Sequence, residues 1–360
     1  EMATRLCGSA DLFATEPGRG APASINFVSC HDGFTLTDLT RYRSKHNEAN
    51  GENNNDGSSV NHSANFGVEG VTDDPDVITA REQAAMNMIG MLLLSLGTPM
   101  MLAGDEFRNT QDGNNNAYCQ DNDITWLKWD WMYSTNKTRE MRRLETVSRL
   151  VALRKSLDLY HHEDFFTRLT QIGLLKPSSR VQWFLPDGTT PMERDWFDLG
   201  VRSFTMRLLS NSEVDVCIVV NGTADDRTFR LPPDTHWTPK WCSAEINGRR
   251  AGHGTQVEEC DLNGDTTVWT QHVPDASETV LKMVEEVAMQ RTESSTENEA
   301  DTIKFAMPVT DHAANGTSSA PRDEVSADMP DAPVDDTPDT PVDDNVWTMP
   351  ALSITLMKQV

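Results

Sequence analysis

The chain has 360 residues and a net charge of −25, and this length allows one large domain or two smaller ones. Such an acidic chain is a poor partner for nucleic acid, because phosphate backbones are bound by basic surfaces. No apolar run approaches the roughly 20 residues of a membrane helix, so we expect no membrane span and no signal peptide. The six cysteines lack zinc or C-x-x-C spacing, which favours free thiols in the cytoplasm, no metal site and no cofactor.

The N-terminal part of the chain predicts alternating strands and helices. The run "SINFVSC" (24–30) is typical of a strand that is buried on both faces. An acidic stretch ending in Pro75 marks the start of a helix that runs to Gly97, and "TPMMLAG" (98–104) predicts a second strand. Strand, helix and strand in this order form a parallel βαβ unit. A further amphipathic helix is predicted over 137–159.

The sequence changes character after residue 160. Over 165–284, short apolar runs such as "VQWFL" and "DVCIVVN" alternate with Pro, Gly and Asp turns, which predicts an antiparallel β domain of the sandwich type. Residues 285–345 contain sixteen acidic residues against three basic ones, and their composition predicts a disordered insertion. Apolar residues return in 346–360, which we predict to be the final strand of the β domain.

Ionisable residues follow both predicted N-terminal strands. His31 and Asp32 end the first strand, and Asp105 and Glu106 end the second. Active groups of parallel α/β barrels lie at the carboxyl ends of the strands, so both pairs would face the same side of one sheet. Carboxylates there could accept hydrogen bonds from sugar hydroxyls. By spacing alone, capping of a strand or helix is the simpler explanation of both pairs.

Five sequence motifs carry a family resemblance. The segments "INFVSCHDGFTLTDL", "KHNEANGENNNDG", "GVEGVTDDP", "LLLSLGTPMMLAGDEF" and "GNNNAYCQDNDITWLKWD" occur in this order between Ala3 and Asp130. Together they resemble the glycogen debranching enzymes, which are isoamylase-type α-1,6-glucosidases of the α-amylase superfamily, glycoside hydrolase family 13. The resemblance continues more loosely through the predicted β domain.

The resemblance implies a fold and two catalytic roles. Residues 1–160 would be the C-terminal part of a (β/α)8 TIM barrel, comprising its last two strands and helices, and the antiparallel β domain would follow. Asp32 would be the third catalytic carboxylate, which stabilises the transition state. His31 would contact hydroxyls of the glucose at the cleaved bond.

The resemblance also implies a substrate-binding set on the loops around the cleft, where amides and carboxylates suit sugar hydroxyls. The predicted members are Asn47, Asn50, Asp56, Asp105, Glu106, Asn116 and Tyr118. The aromatic residues Tyr118, Trp126 and Trp129 could stack on glucose rings or belong to the core, and both interpretations stay open.

Two catalytic groups of the family have no counterpart in the sequence. Retaining glycoside hydrolysis needs a carboxylate nucleophile and a general acid about 5 Å apart. In the family these groups follow the fourth and fifth barrel strands, and no matching segment occurs here. A complete barrel needs about 250 residues. We therefore expect the N-terminal part of the same enzyme to be needed for catalysis.

Two functions are compatible with these observations. The first is hydrolysis of α-1,6 branch linkages in an α-glucan, glycogen or limit dextrin, by the complete polypeptide. The alternative is an inactive glucan-binding or remnant fragment. The acidic segment could also recruit a basic partner, although such segments are usually only solvated. No calcium site is predicted in the Asn-rich loop, because Ser63 occupies the position where an EF-hand requires Glu.

Overall fold

The fold is given by a computed structural model. It describes residues 2–161 except Pro17, 180–253 without 211–213 and 234–235, 345–359 without 351–352, and positions 165, 167–169, 175–177, 258–259 and 303–304. The α-helices among these residues are α1 (Met2–Leu6), α2 (Ala10–Phe13), α3 (Leu36–Leu39), α4 (Pro75–Leu94) and α5 (Arg139–Lys155). None of them is long and apolar enough to cross a lipid bilayer.

The strands fall into a small parallel group and several antiparallel groups. They are β1 (Ile25–Phe27), β2 (Thr98–Pro99), β3 (Thr167–Leu169), β4 (Leu175–Pro177), β5 (Val181–Phe184), β6 (Ser203–Leu208), β7 (Val216–Asn221), β8 (Arg227–Arg230), β9 (Trp237–Cys242), β10 (Arg249–Arg250), β11 (Gly252–His253), β12 (Glu258–Glu259), β13 (Ile303–Lys304), β14 (Val346–Met349) and β15 (Ser353–Gln359).

A parallel pair of strands joined by α4 organises the N-terminal half. β1 and β2 pair in parallel with Asn26 opposite Pro99, which confirms the predicted βαβ unit. Both strands are shorter than the predicted runs 24–30 and 98–104, because the chain leaves the ladder after Phe27 and Pro99. β13 pairs in parallel with the other edge of β1.

Helix α4 begins and ends where local chemistry dictates. The Asp74 carboxylate caps its start by accepting a hydrogen bond from Asp76 N at 2.9 Å, and Pro75 fits the first helical position. Beyond its end, Gly97 adopts φ +111°, and a Cβ there would lie 2.6 Å from the Ser24 carbonyl oxygen. Glycine at this position therefore lets β2 start beside β1.

Helix α5 packs on α4 through its apolar face. The Thr138 hydroxyl caps its start, accepting from Met141 N at 3.2 Å, and Val147 and Leu150 are buried. The helix ends at Lys155, earlier than the predicted residue 159, and a 3-10 turn over Asp158–His161 follows.

Apart from β13, the described strands of the C-terminal half form antiparallel sheets. One has the order β5-β6-β7-β15-β9 and another the order β11-β14-β8. The antiparallel character predicted for this region is confirmed by the pairing of β5 with β6 and of β6 with β7. The segment 346–360, predicted as one strand, instead forms two strands that lie in different sheets. The acidic segment 285–345 lies outside the described residues except for Ile303, Lys304 and Asn345.

One continuous apolar core joins α4 to the five-stranded sheet. It contains Met86, Ile89, Met206, Trp241 and Leu356, which are all buried. At the crossing, a Cβ on Gly90 would lie 2.8 Å from the Trp241 ring. The glycine therefore permits the close approach of helix and sheet.

Candidate functional site

His31 and Asp32 lie on the surface just beyond β1. Their side chains are 87% and 74% exposed, and His31 Nε2 lies 3.3 Å from Asp32 Oδ2. The next residue, Gly33, has φ +85° and donates its backbone N–H to the Asn115 carbonyl at 3.0 Å. The end of the strand therefore presents an imidazole and a carboxylate to solvent, and a backbone bond ties it to the second Asn-rich loop.

Asp105 stabilises the chain that follows β1 through its buried carboxylate. Its carboxylate is buried and accepts hydrogen bonds from the Ser29 hydroxyl and from Leu36 N, the latter at 2.9 Å. Burial raises the pKa of Asp105 to about 7. Protein donors therefore occupy both carboxylate oxygens, and they join the end of β1 to the start of α3.

Glu106 lies beside Asp105 in the same 3-10 turn. Its Oε2 accepts a hydrogen bond from Gly104 N at 2.8 Å, and burial raises the pKa of this half-buried carboxyl group. Within the described residues, no cluster of three or more His, Cys, Asp and Glu side chains could hold a metal ion.

Asn50 is the centre of a hydrogen-bond network between the two Asn-rich loops, 47–56 and 114–121. Its Nδ2 donates to Asp56 Oδ2 at 2.7 Å and to the Asn116 carbonyl at 2.9 Å, and its Oδ1 accepts from Asn114 Nδ2 at 2.8 Å. Asn116 Nδ2 donates to the same Asp56 oxygen at 2.9 Å. These bonds from Asn50 and Asn116 lower the pKa of Asp56.

Asn47 anchors the network from inside the protein. Its side chain is fully buried, and its Nδ2 donates to the Asp56 carbonyl at 2.9 Å. Lys45 Nζ reaches the same carbonyl at 2.8 Å. The structure therefore brings Asn47, Asn50, Asp56 and Asn116 together, with many of their amide groups bonded across the loops.

The aromatic candidates differ in exposure. Tyr118 is 82% exposed and Trp126 is 56% exposed, and Trp126 Nε1 donates to Asp121 Oδ1 at 3.0 Å. Trp129 is half-buried, and its ring centroid lies 4.8 Å from that of Phe107. Tyr118 and Trp126 are open to a ligand, whereas Trp129 contributes to packing.

A buried ion-pair network supports the site, and sequence reasoning missed it. Arg143 Nη2 lies 2.8 Å from one Glu82 oxygen, and Arg108 Nε lies 3.0 Å from the other. Arg143 Nη1 also donates to the Asp105 carbonyl at 3.5 Å. Helical spacing could have revealed it. Arg143 lies four and seven residues before the core residues Val147 and Leu150, so all three share one face of α5, and an arginine on a buried face needs a buried partner.

Curated proteins match more than half of the chain. The chain is 44% identical over 207 residues to a glycogen operon protein GlgX homolog of Mycobacterium bovis, covering 57% of this chain and 28% of the relative. It is 37% identical over 263 residues to a glycogen debranching enzyme of Pectobacterium atrosepticum, and this match covers 72% of this chain and 37% of the relative. The chain thus spans about a third of the length of the curated relatives that it matches. No protein-family model matches.

Solved structures give more remote matches. A pullulanase from Anoxybacillus sp. LM18-11 in complex with maltotetraose aligns with a TM-score of 0.40 and 17% identity, covering 71% of this chain and 28% of that one. Similarity at this level does not by itself establish a shared fold. The sequence matches are much stronger: over the matched residues the chain is 37–44% identical to glycogen debranching enzymes and GlgX homologs.

Proposed function

We propose that this chain is the C-terminal part of a glycogen debranching enzyme, and that the complete polypeptide hydrolyses α-1,6 branch linkages in glycogen or limit dextrin with retention of configuration. The observation that carries the proposal is the exposed His31–Asp32 pair beyond the carboxyl end of β1, within a segment that resembles the debranching enzymes. The proposal is consistent with the chain's coverage of 28–37% of its relatives.

In this proposal, β1, α4, β2 and α5 are the last two strand–helix units of a (β/α)8 barrel. The parallel pairing of β1 and β2 and their helical crossover support it. The N-terminal part of the enzyme supplies the nucleophile and the general acid, which a retaining mechanism places about 5 Å apart. We propose the following domain boundaries. Residues 1–160 form the barrel part, 165–284 the β domain, 285–345 an acidic insertion, and 346–360 the last strand segment of the β domain.

Asp32 and His31 have separate roles at the cleaved bond. Asp32 accepts hydrogen bonds from glucose hydroxyls, and its negative charge stabilises the positive charge that develops on the sugar ring in the transition state. His31, which lies 3.3 Å from that carboxylate, donates to a neighbouring hydroxyl. Their exposure leaves both groups free to contact a glucose ring.

The proposed substrate-binding set divides by burial. Exposed Tyr118 offers a ring face for glucose, whereas the side chains of Asn50, Asp56, Glu106 and Asn116 are partly exposed. Asn47 and Asp105 are buried, so their proposed role in substrate binding is indirect. Asn47 holds the two Asn-rich loops together, and Asp105 holds the end of β1. Free thiols at the described cysteines are compatible with the cytoplasmic location that we propose.

The test is Asp32→Asn in the complete polypeptide. We expect turnover of branched limit dextrin to fall by at least about 100-fold, with an unchanged melting temperature. The matched control is Asp76→Asn, because Asp76 is also exposed and lies in the first turn of α4. Near-normal turnover of the Asp32 variant would remove Asp32 from the catalytic machinery.

A second candidate function is glucan binding without catalysis, which the exposed rings of Tyr118 and Trp126 favour. Aromatic faces stack on apolar sugar faces, and both rings are accessible. If this chain binds glucan alone, Tyr118→Ala and Trp126→Ala should each weaken maltotetraose binding, whereas Tyr133→Ala, also exposed, should not. Binding that none of these substitutions changes would exclude these rings as the platform.

A further inference from the structure

A cavity of about 170 Å³ lies beside the start of α4. It is lined by four arginines, Arg41, Arg81, Arg108 and Arg139, and none of the proposed glucan-site residues lines it. Threonine side chains from α3 and from the segment before α4 complete the polar wall. A cationic cavity is unexpected in a chain of net charge −25, so the pairing of each arginine matters.

Arg81 is held in place by neutral groups. Its side chain is 4% exposed, and its guanidinium donates to the carbonyls of Asn65, Val68 and Gly70. Its Nε is buried without a hydrogen-bond partner. The carbonyls fix the position of the guanidinium but carry no formal charge. Among the described residues no carboxylate forms an ion pair with Arg81, although the charge of Glu69 acts on it, and a buried cation without a directly bonded counter-ion is costly.

The other arginines add to this excess. Within the described part of the chain, neither Arg41 nor Arg139 forms an ion pair or a side-chain hydrogen bond. Arg108 pairs with Glu82 and, at 3.6 Å, with the partly exposed Glu140, but the buried Arg143 shares the Glu82 carboxylate. Burial and then the charge of Arg41 lower the pKa of Arg81, so the two cations repel each other across the cavity.

Two carboxylates line the same cavity and do not cancel the charge. Glu82 is bonded to Arg143 and Arg108, and Asp73 is an exposed side chain at the rim. A ligand with two negative charges and several acceptor oxygens matches what remains, since guanidinium groups and hydroxyls are the preferred partners of phosphate oxygens.

We propose that this cavity binds a phosphate group, either as inorganic phosphate or as a sugar phosphate monoester. The site is independent of the proposed debranching activity, because it rests on the cavity and its four arginines alone. Buried Arg81 provides a cation in a fixed position. Arg41, which follows α3, and Arg139, the first residue of α5, supply two further guanidinium groups to the phosphate.

The experiment is calorimetric titration of the 360-residue chain with inorganic phosphate, glucose 6-phosphate and glucose. We expect one saturable phosphate site, no binding of glucose here, and at least about tenfold weaker phosphate binding in Arg41→Gln, because a charge-assisted bond is lost. Arg194→Gln is the control, since Arg194 is 80% exposed and outside the cavity. Tighter binding of glucose 6-phosphate would identify the monoester as the ligand, and equal binding would identify the phosphate group alone.

A second variant keeps the test decisive if Arg41→Gln misfolds. Arg139 is exposed on the first turn of α5, so Arg139→Gln should fold and still weaken phosphate binding. The proposal is overturned if the chain shows no saturable phosphate binding. It is equally overturned if the cavity variants that fold bind phosphate as tightly as Arg194→Gln.

Discussion

Asn47 and Asn115 bond to each other twice across the two Asn-rich loops. Asn47 Nδ2 donates to Asn115 Oδ1 at 2.9 Å, and Asn115 N donates to Asn47 Oδ1 at 3.0 Å. Both side chains are buried, so water cannot replace either bond. The pair therefore fixes how the loop after α3 lies against the loop after β2, and with it the position of Asn50 and Asp56.

Asn47→Asp tests this pair with almost no change in shape. The new carboxylate oxygen would face Asn115 Oδ1 and the Asp56 carbonyl, which are both acceptors. We expect the free energy of unfolding in urea to fall by at least about 2 kcal/mol. Asn53→Asp is the control, because Asn53 is exposed, and it should change stability by less than about 0.5 kcal/mol. Equal effects of the two substitutions would show that the pair is unimportant.

Gly57 lies directly against the same pair. It adopts φ +71°, and a Cβ there would lie 2.4 Å from Asn115 Oδ1 and 2.7 Å from Asn47 Nδ2. Gly51 has a similar φ of +80° with nothing within 4 Å. Alanine at either position would suffer backbone strain of about 1–2 kcal/mol, and at Gly57 it would also clash with the asparagine side chains. Gly57→Ala should therefore lower the melting temperature more than Gly51→Ala. A smaller effect at Gly57 would contradict the close packing.

Glu82 and Glu140 both contact Arg108, at 3.0 and 3.6 Å, but only Glu82 is buried. Glu82→Gln would leave Arg108 and Arg143 without a buried counter-charge, so we expect a loss of about 3–5 kcal/mol in unfolding free energy. Glu140→Gln should cost less than about 1 kcal/mol, because solvent screens a partly exposed pair. Chemical denaturation of both variants measures the difference, and similar losses would refute the assigned burial.

Asp105 predicts a pH dependence of stability between about pH 4 and pH 7. Burial raises its folded pKa from 3.8 to about 7, so the folded state binds a proton more tightly than the unfolded state. The contribution of Asp105 to the free energy of unfolding is therefore fully present below the unfolded pKa and is lost as pH rises through 7. The free energy of unfolding changes by at most about 1.4 kcal/mol per pH unit in this range.

Asp105→Asn removes that proton and should flatten this part of the profile. The unfolding free energies of both proteins are measured from pH 4.5 to 8. The variant should gain stability relative to the native chain as pH rises, since the amide can still accept from Leu36 N. Parallel profiles for the two proteins would show that Asp105 titrates outside this window.

Sequence patterns predicted the regular elements better than the site. The start of α4 was readable because an acidic cap and a proline precede an apolar run, and Asp74 does cap it. The strands β5 to β7 followed from short β-branched and aromatic runs between turns. The two strands in 346–360 were not distinguished, because both sides of Pro350 contain apolar residues and nothing in the pattern shows that they join different sheets.

The site's internal bonds could not be predicted in the same way. The loops contain many asparagines, and residue type alone does not show which amide reaches which acceptor 64–68 residues away. The same holds for Asp105, whose carboxyl group was predicted to contact substrate. Its two carboxylate oxygens accept hydrogen bonds from Ser29 and Leu36, and only three-dimensional packing brings those donors to it.

The most direct test of the proposed function is a proton NMR time course of the complete polypeptide acting on branched limit dextrin. Anomeric signals distinguish α-1,6 from α-1,4 linkages, and the first-formed reducing end reports retention or inversion. We expect loss of the α-1,6 signal alone, with the α-anomer appearing first, and loss of both effects in Asp32→Asn. Cleavage of α-1,4 linkages only, a β-anomer as first product, or no cleavage by the folded polypeptide would contradict the proposal.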